Sequence, residues 1–129
     1  MSINKKTFRS GPYQDLIAQA VQVGDVIYLS GQVGHDESGQ PAEGLVAQTA
    51  ATYEHIKSVL AEFGASMENI VDETVFVTDV SDYMANVAEI YALREEAYGE
   101  KPNVSQTVVQ VVALVEPALS IEIKCVAHL

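Results

Sequence analysis

Only two stretches of this chain repeat their apolar residues at helical spacing, while the other apolar runs read as strands. Over 44–63, Val46, Ala50, Tyr53, Ile56, Leu60 and Phe63 form one stripe, with Gln48, Glu54, Lys57 and Glu62 outside it. Gly64 is placed to stop that helix. A second helix, capped by Ser81 or Asp82, has Met84, Val87, Tyr91 and Ala97 or Tyr98 on its buried side and is closed by Gly99 and Pro102. Two strands are expected within 17–34 around Val23-Gly24-Asp25, one at 70–80, and two at 105–115 and 119–127 joined at Glu116-Pro117. A short extra strand fits 6–10. Within 70–80, Val71, Glu73, Val75 and Val77 share one face and Asp72, Thr74, Phe76 and Thr78 the other.

The order (β)ββαβαββ describes an α+β domain with a mixed sheet. Two helices cannot cover both faces of such a sheet, so one helix layer on one face is the economical arrangement. The apolar positions of the last two strands then call for a cover on the other face, and a further copy of the chain would supply it.

With 129 residues and 48% hydrophobic content, residues 1–129 are expected to form a single domain with its own core. There is no apolar run of about 18 residues to span a membrane, and "MSINKKTFRS" lacks the apolar segment of a signal peptide. A lone Cys125 excludes an internal disulfide and suits a reducing compartment, which makes a cytoplasmic location the expectation. The net charge is -11, from 18 acids against 7 bases. A nucleic-acid partner needs a basic footprint, and only Lys5, Lys6 and Arg9 cluster, so RNA and DNA are disfavoured.

His35, His55 and His128 fall in a loop, on a helix exterior and at the C-terminus, with no metal-ligand spacing among them. His35-Asp36-Glu37 reads as a solvated turn, and Cys125, alternating with Ile121 and Ile123, as core. Neither a metal nor a cofactor is called for. Three features remain. Ser30-Gly31, ending the strand in "YLSGQVG", is either a plain strand end or a place of close approach. Glu122 in "LSIEIKCVA" either pairs with Lys124 or sits at a cleft with a raised proton affinity. Gln106 and Gln110 in "PNVSQTVVQVVAL" fall on one strand face, where amides need partners or a cleft.

"YLSGQVG", "ETVFVTDVSDY", and "VVQVVAL" with "IEIKCVA", in that order over 18–127, resemble the RidA (YjgF-type) family of imine and enamine deaminases. The resemblance implies a chorismate-mutase-like α+β fold and a homotrimer with sheets packed inward and ligand clefts between subunits. It implies hydrolysis of 2-imino or 2-enamino acids to 2-keto acids and ammonia, without metal or cofactor. By the same likeness, Ser30 and Gly31 position the ligand and Glu122 is the catalytic carboxylate that assists water. The family's carboxylate-holding arginine is absent here. Gln106 takes its place, or Thr107 after a one-residue slip, and no Arg or Lys lies between Pro102 and Ile121. A Gly-Pro-Tyr motif whose tyrosine faces the family's cleft occurs as Gly11-Pro12-Tyr13, four residues early, which sets Ile17 at the tyrosine's spacing. Losing a charged hydrogen bond costs roughly 1.5–3 kcal/mol, so an anionic substrate is disfavoured. The expected functions are a metal-free hydrolase of neutral or cationic imine-type compounds, or a trimeric small-ligand-binding or regulatory module without turnover. A ribonuclease role is the least favoured.

Overall fold

Gly24, at φ 58°, turns the chain between β2 (Ala20–Val23) and β3 (Val26–Leu29), a left-handed conformation that costs a glycine little. The computed structural model describes residues 2–129, and the hairpin is the start of a seven-stranded sheet. The other strands are β1 (Lys6–Phe8), β4 (Gln32–Val33), β5 (Ile70–Val77), β6 (Ser105–Gln110) and β7 (Ile121–His128). Their order is β1-β2-β3-β7-β5-β6, with β4 also pairing β7. All pairs are antiparallel except β5 with β6. A parallel pair needs a crossover, and α2 (Val80–Ala85) with α3 (Val87–Tyr98) provides it. The long helix α1 (Leu45–Ala61) lies on the same face.

The core is the contact of α1 and α3 with the inward residues of the sheet: Ile27 and Leu29, Val75 and Val77, Ile121, Ile123 and Cys125 are all buried. Ile56 and Leu60 are fully buried from α1. The opposite face carries no helix. Tyr28 on β3 and Val109 on β6 are exposed there, beside half-buried Phe76 and Val126.

Several expectations need correcting. Gln48, assigned to the outside of the first helix, is buried: its amide donates to the carbonyls of Ala42 (3.0 Å) and Ala118 (2.9 Å) and accepts from the Ser120 N–H (2.7 Å). The second helix is two helices broken at Asn86. Asp79, rather than Ser81 or Asp82, caps α2 through the N–H groups of Ser81 and Asp82. Of the residues read for its buried side, Tyr98 is buried, Val87, Tyr91 and Ala97 are half-buried and Met84 is exposed, and Tyr83, Ile90 and Arg94 are buried beside them. A bulge between Ile70 and Asp72 turns Ile70 inward and Val71 out, so Val71 leaves the face it was to share with Glu73. The last two strands are shorter at their facing ends. β6 stops at Gln110, and the connection through fully exposed Val112 to the turn closed by Leu119 N–H on Glu116 O is irregular.

A polar cluster sits inside the apolar layer. The Glu73 carboxylate, wholly buried, accepts from Arg94 Nε (2.7 Å), Gln106 Nε2 (2.7 Å), Tyr98 OH (2.8 Å) and Tyr53 OH (3.3 Å). Tyr91 OH donates to Gln106 Oε1 and accepts from Tyr83 OH at 3.1 Å. Burial first, then the Glu73 charge, push the Tyr53 and Tyr98 hydroxyls far above the usual phenol range, so both stay donors. Burial opposes the charge on Arg94, but Glu73 outweighs it and holds that guanidinium above its ordinary value.

Candidate functional site

Glu122 alternates with buried Ile121 and Ile123 on β7, so its side chain leaves the face that the helices cover. It lands against the bend at Ser30-Gly31. A Cβ built on Gly31 would lie 2.2 Å from Glu122 Oε2 and 2.7 Å from its Cδ, a space only glycine leaves open. That is the close approach one reading of "YLSGQVG" foresaw. The bend is fixed from behind. Ser30 N–H donates to Gln19 O (2.9 Å) and Ser30 Oγ to Ala18 O (2.6 Å). Buried Gln32 donates to Gln19 Oε1 (2.9 Å) and to Ser30 O (3.1 Å). Lys124 reaches over to Leu29 O at 2.7 Å.

Lys124 therefore does not pair with Glu122. Among the described residues, the ion pairs within 4 Å are Lys57–Glu54 and Arg94–Glu73, and His35–Glu116 is a hydrogen-bonded contact of 3.1 Å. Glu122 is left half-buried without a cation in contact. Burial raises its proton affinity above the ordinary carboxylate value, and the Lys124 charge only partly offsets this.

The carboxylate forms part of the wall of a cavity of about 720 Å³. Ser30, Gly31 and Glu122 line it, and so do both Tyr13 and Ile17, the two candidates for the tyrosine's place. Its remaining wall comes from the segment before β2, from Gln32, Val33 and His35, from α1 through His55, Ser58 and Val59 with Glu62 just past its end, and from the β6–β7 connection through Val115 and Glu116.

Two residues of this wall escaped the reading of the sequence. His55 was placed on the helix exterior, yet its Nδ1 donates to Val33 O at 2.8 Å and its ring lines the cavity. His35 was placed in a solvated turn. Its neighbours Asp36 and Glu37, both exposed, do behave that way. Asp36 accepts from Ser38 and Gln40, which hold its carboxyl below the usual range, with the Ser38 hydroxyl the larger cause. His35 itself donates to Glu116 across 3.1 Å. The contact spans residues 35 and 116, and no local pattern announces it.

Gln106 is the principal correction. It sits on the helix side of β6, bound to Glu73 and Tyr91 within one subunit, and does not line the cavity. The register explains why. β6 pairs β5 as Gln106 with Glu73 and Thr107 with Thr74, and Glu73 points into the core. Thr107 therefore points the other way. It shares the uncovered face with Thr74 and Lys124, one row of pairs from Phe76 and Glu122. Two strand spacings, about 10 Å, separate Thr107 from Lys124, and Thr107 is not part of the cavity wall of its own chain. Gln110, the other amide of that stretch, accepts from Val80 N–H at 2.8 Å and anchors the start of α2.

The family model described as Endoribonuclease L-PSP matches residues 10–129. A RutC family protein of Pyrococcus abyssi is 36% identical over 121 residues, covering 92% of this chain and 87% of the relative. This chain belongs to the RidA/YjgF family. Solved members agree in architecture. A YjgF/YER057c/UK114 family protein from Mycobacterium tuberculosis superposes with a TM-score of 0.82 at 25% identity, over 98% of this chain and all (100%) of the other. RidA from the Antarctic bacterium Psychrobacter sp. PAMC 21119 gives 0.79 at 28% identity, covering 100% and 99%. The α+β fold with a chorismate-mutase-like arrangement is thus that of the RidA/YjgF proteins. Among the described residues of this member, no helix is long and apolar enough to cross a membrane.

Proposed function

We propose that this RidA/YjgF protein binds a small molecule in the cavity beside Glu122 and hydrolyses imine- or enamine-type metabolites there without metal or cofactor. The observation that supports this is the half-buried Glu122 carboxylate, laid against Gly31 with no cation in contact and with raised proton affinity. Such a group can take a proton from water as the water adds to a C=N carbon. It can return that proton to the nitrogen, so that an imine and water give a carbonyl compound and ammonia. Ser30–Gly31 and Tyr13 would orient the ligand. The uncovered sheet face favours a homotrimer, in which the Thr107 row of one chain would approach the cavity of the next. A reducing, cytoplasmic setting fits the buried lone thiol.

Purified protein offered freshly generated imines should speed ammonia release, and Glu122→Gln should abolish the effect. Sedimentation should give three chains per particle. One feature favours the alternative, a trimeric binding or regulatory module: neither Gln106 nor Thr107 supplies the charge that a carboxylate substrate would grip. A flat ammonia trace with retained ligand binding would decide for that module. A nuclease role is disfavoured, because among the described residues no Lys or Arg side chain stands in the cavity wall.

A further inference from the structure

The cavity has a charge and a texture of its own. Three carboxylates, Glu62, Glu116 and Glu122, stand in its wall, and among the described residues no lysine or arginine does. The cations nearby are committed elsewhere: Lys6 to Glu62 O (3.0 Å) and the Phe63 ring, Arg9 to Gln14 O (2.9 Å), Lys124 to Leu29 O (2.7 Å). His35 holds Glu116 through both carboxylate oxygens at 3.1 Å, a contact that fixes where the carboxylate stands. Much of the rest of the wall is apolar. Phe8, Tyr13, Leu16, Ile17 and Val115 line it, and Leu16 is 77% exposed, surface that an occupant could cover. Within one chain the space is about 720 Å³, inside the range of roughly 300–1,000 Å³ common to small-molecule pockets.

We infer that the cavity selects an amphipathic cation: an ammonium or iminium head directed to Glu116 and Glu122, and an aromatic or branched apolar body laid on Tyr13, Leu16 and Ile17. The inference takes its location from the proposed function above but stands apart from turnover. Among imines it names the class derived from apolar amines, rather than from amino acids that keep their carboxylate.

Calorimetric titration of the assembled protein at about pH 8, where imidazole is ordinarily neutral, tests it. The probes are 2-phenylethylammonium, the equally shaped anion 3-phenylpropionate, the neutral 3-phenylpropanamide, and methylammonium. The phenylethyl cation should bind at least about tenfold tighter than the anion and than methylammonium. Glu116→Gln should weaken it about tenfold. Binding of the neutral amide should stay unchanged, which shows that the variant is folded. Equal or tighter binding of 3-phenylpropionate, or cation binding indifferent to Glu116→Gln, overturns the inference. A second arm supplies the imine of phenylethylamine, made in place by an amine oxidase. Tight cation binding without faster ammonia release would sink the hydrolase reading and leave this one standing.

Discussion

At the scale of single residues, the site rests on an absence of atoms. Gly31 leaves room for Glu122, and the atom a Cβ would strike is the free end of a side chain. Gly31→Ala should therefore fold normally but swing the carboxylate off its wall. Its melting temperature should stay near the wild-type value while ligand affinity or ammonia release falls more than about tenfold. Glu122 also leaves a thermodynamic mark. Its folded-state proton affinity is raised, so its contribution to stability is fully present below the ordinary value of 4.5 and is lost as pH rises through the folded value. Glu122→Gln mimics the protonated form. It should melt higher than the wild type at about pH 7 and show no advantage at about pH 4 in a pH series of thermal melts. Glu122 and Ser30-Gly31 were legible in the sequence because a carboxylate between isoleucines and a glycine at a strand end are locally odd. Gln106 was legible as odd but not as to side. A strand has period two, and a slip of one residue exchanges the cavity-facing and core-facing sets. The polar partners that would have decided the matter, Glu73 and Tyr91, lie 33 and 15 positions away.

At the scale of elements, two contacts fix how α1, α3 and the sheet meet. Gly34 faces α1 so closely that a Cβ would lie 2.3 Å from the Gln48 carbonyl oxygen and 2.6 Å from its Cα. Backbone cannot swing aside as a carboxylate can. Gly34→Ala should cost about 1–3 kcal/mol or more in urea unfolding, the opposite outcome to Gly31→Ala. The second contact is the Glu73 cluster, which joins β5, β6, α1 and α3 through one carboxylate. Glu73→Ala leaves the buried Arg94 guanidinium without its counter-ion and should cost about 3–5 kcal/mol at fixed protein concentration. The period of α1 was readable from its apolar stripe, and Gly64 at φ 69° does end it. The break at Asn86 and the place of Arg94 on the buried face of α3 were not readable, because Arg94 is buried by its bond to Glu73 rather than by an apolar stripe, whereas Tyr98 was among the residues read for that face.

At the scale of the whole molecule, counting helices against strands was enough to reach the layer arrangement, and the solved relatives carry the same fold. The uncovered sheet face followed from the same count, since it depends on area rather than on any one side chain. The cavity did not, because its wall is assembled from five separate stretches of chain. One buried group offers a view of global behaviour. Cys125 is the chain's single thiol, lies on β7 between β3 and β5, and is both shielded from solvent and driven to high proton affinity, by burial above all. A disulfide reagent can reach it only when the sheet's middle comes apart. Its labelling rate in native buffer should accordingly rise with urea as steeply as complete unfolding does. Labelling independent of urea would reveal a local breach there. The molecule thus carries its own stopwatch for coming undone, readable with a colorimetric thiol stain and no engineered label.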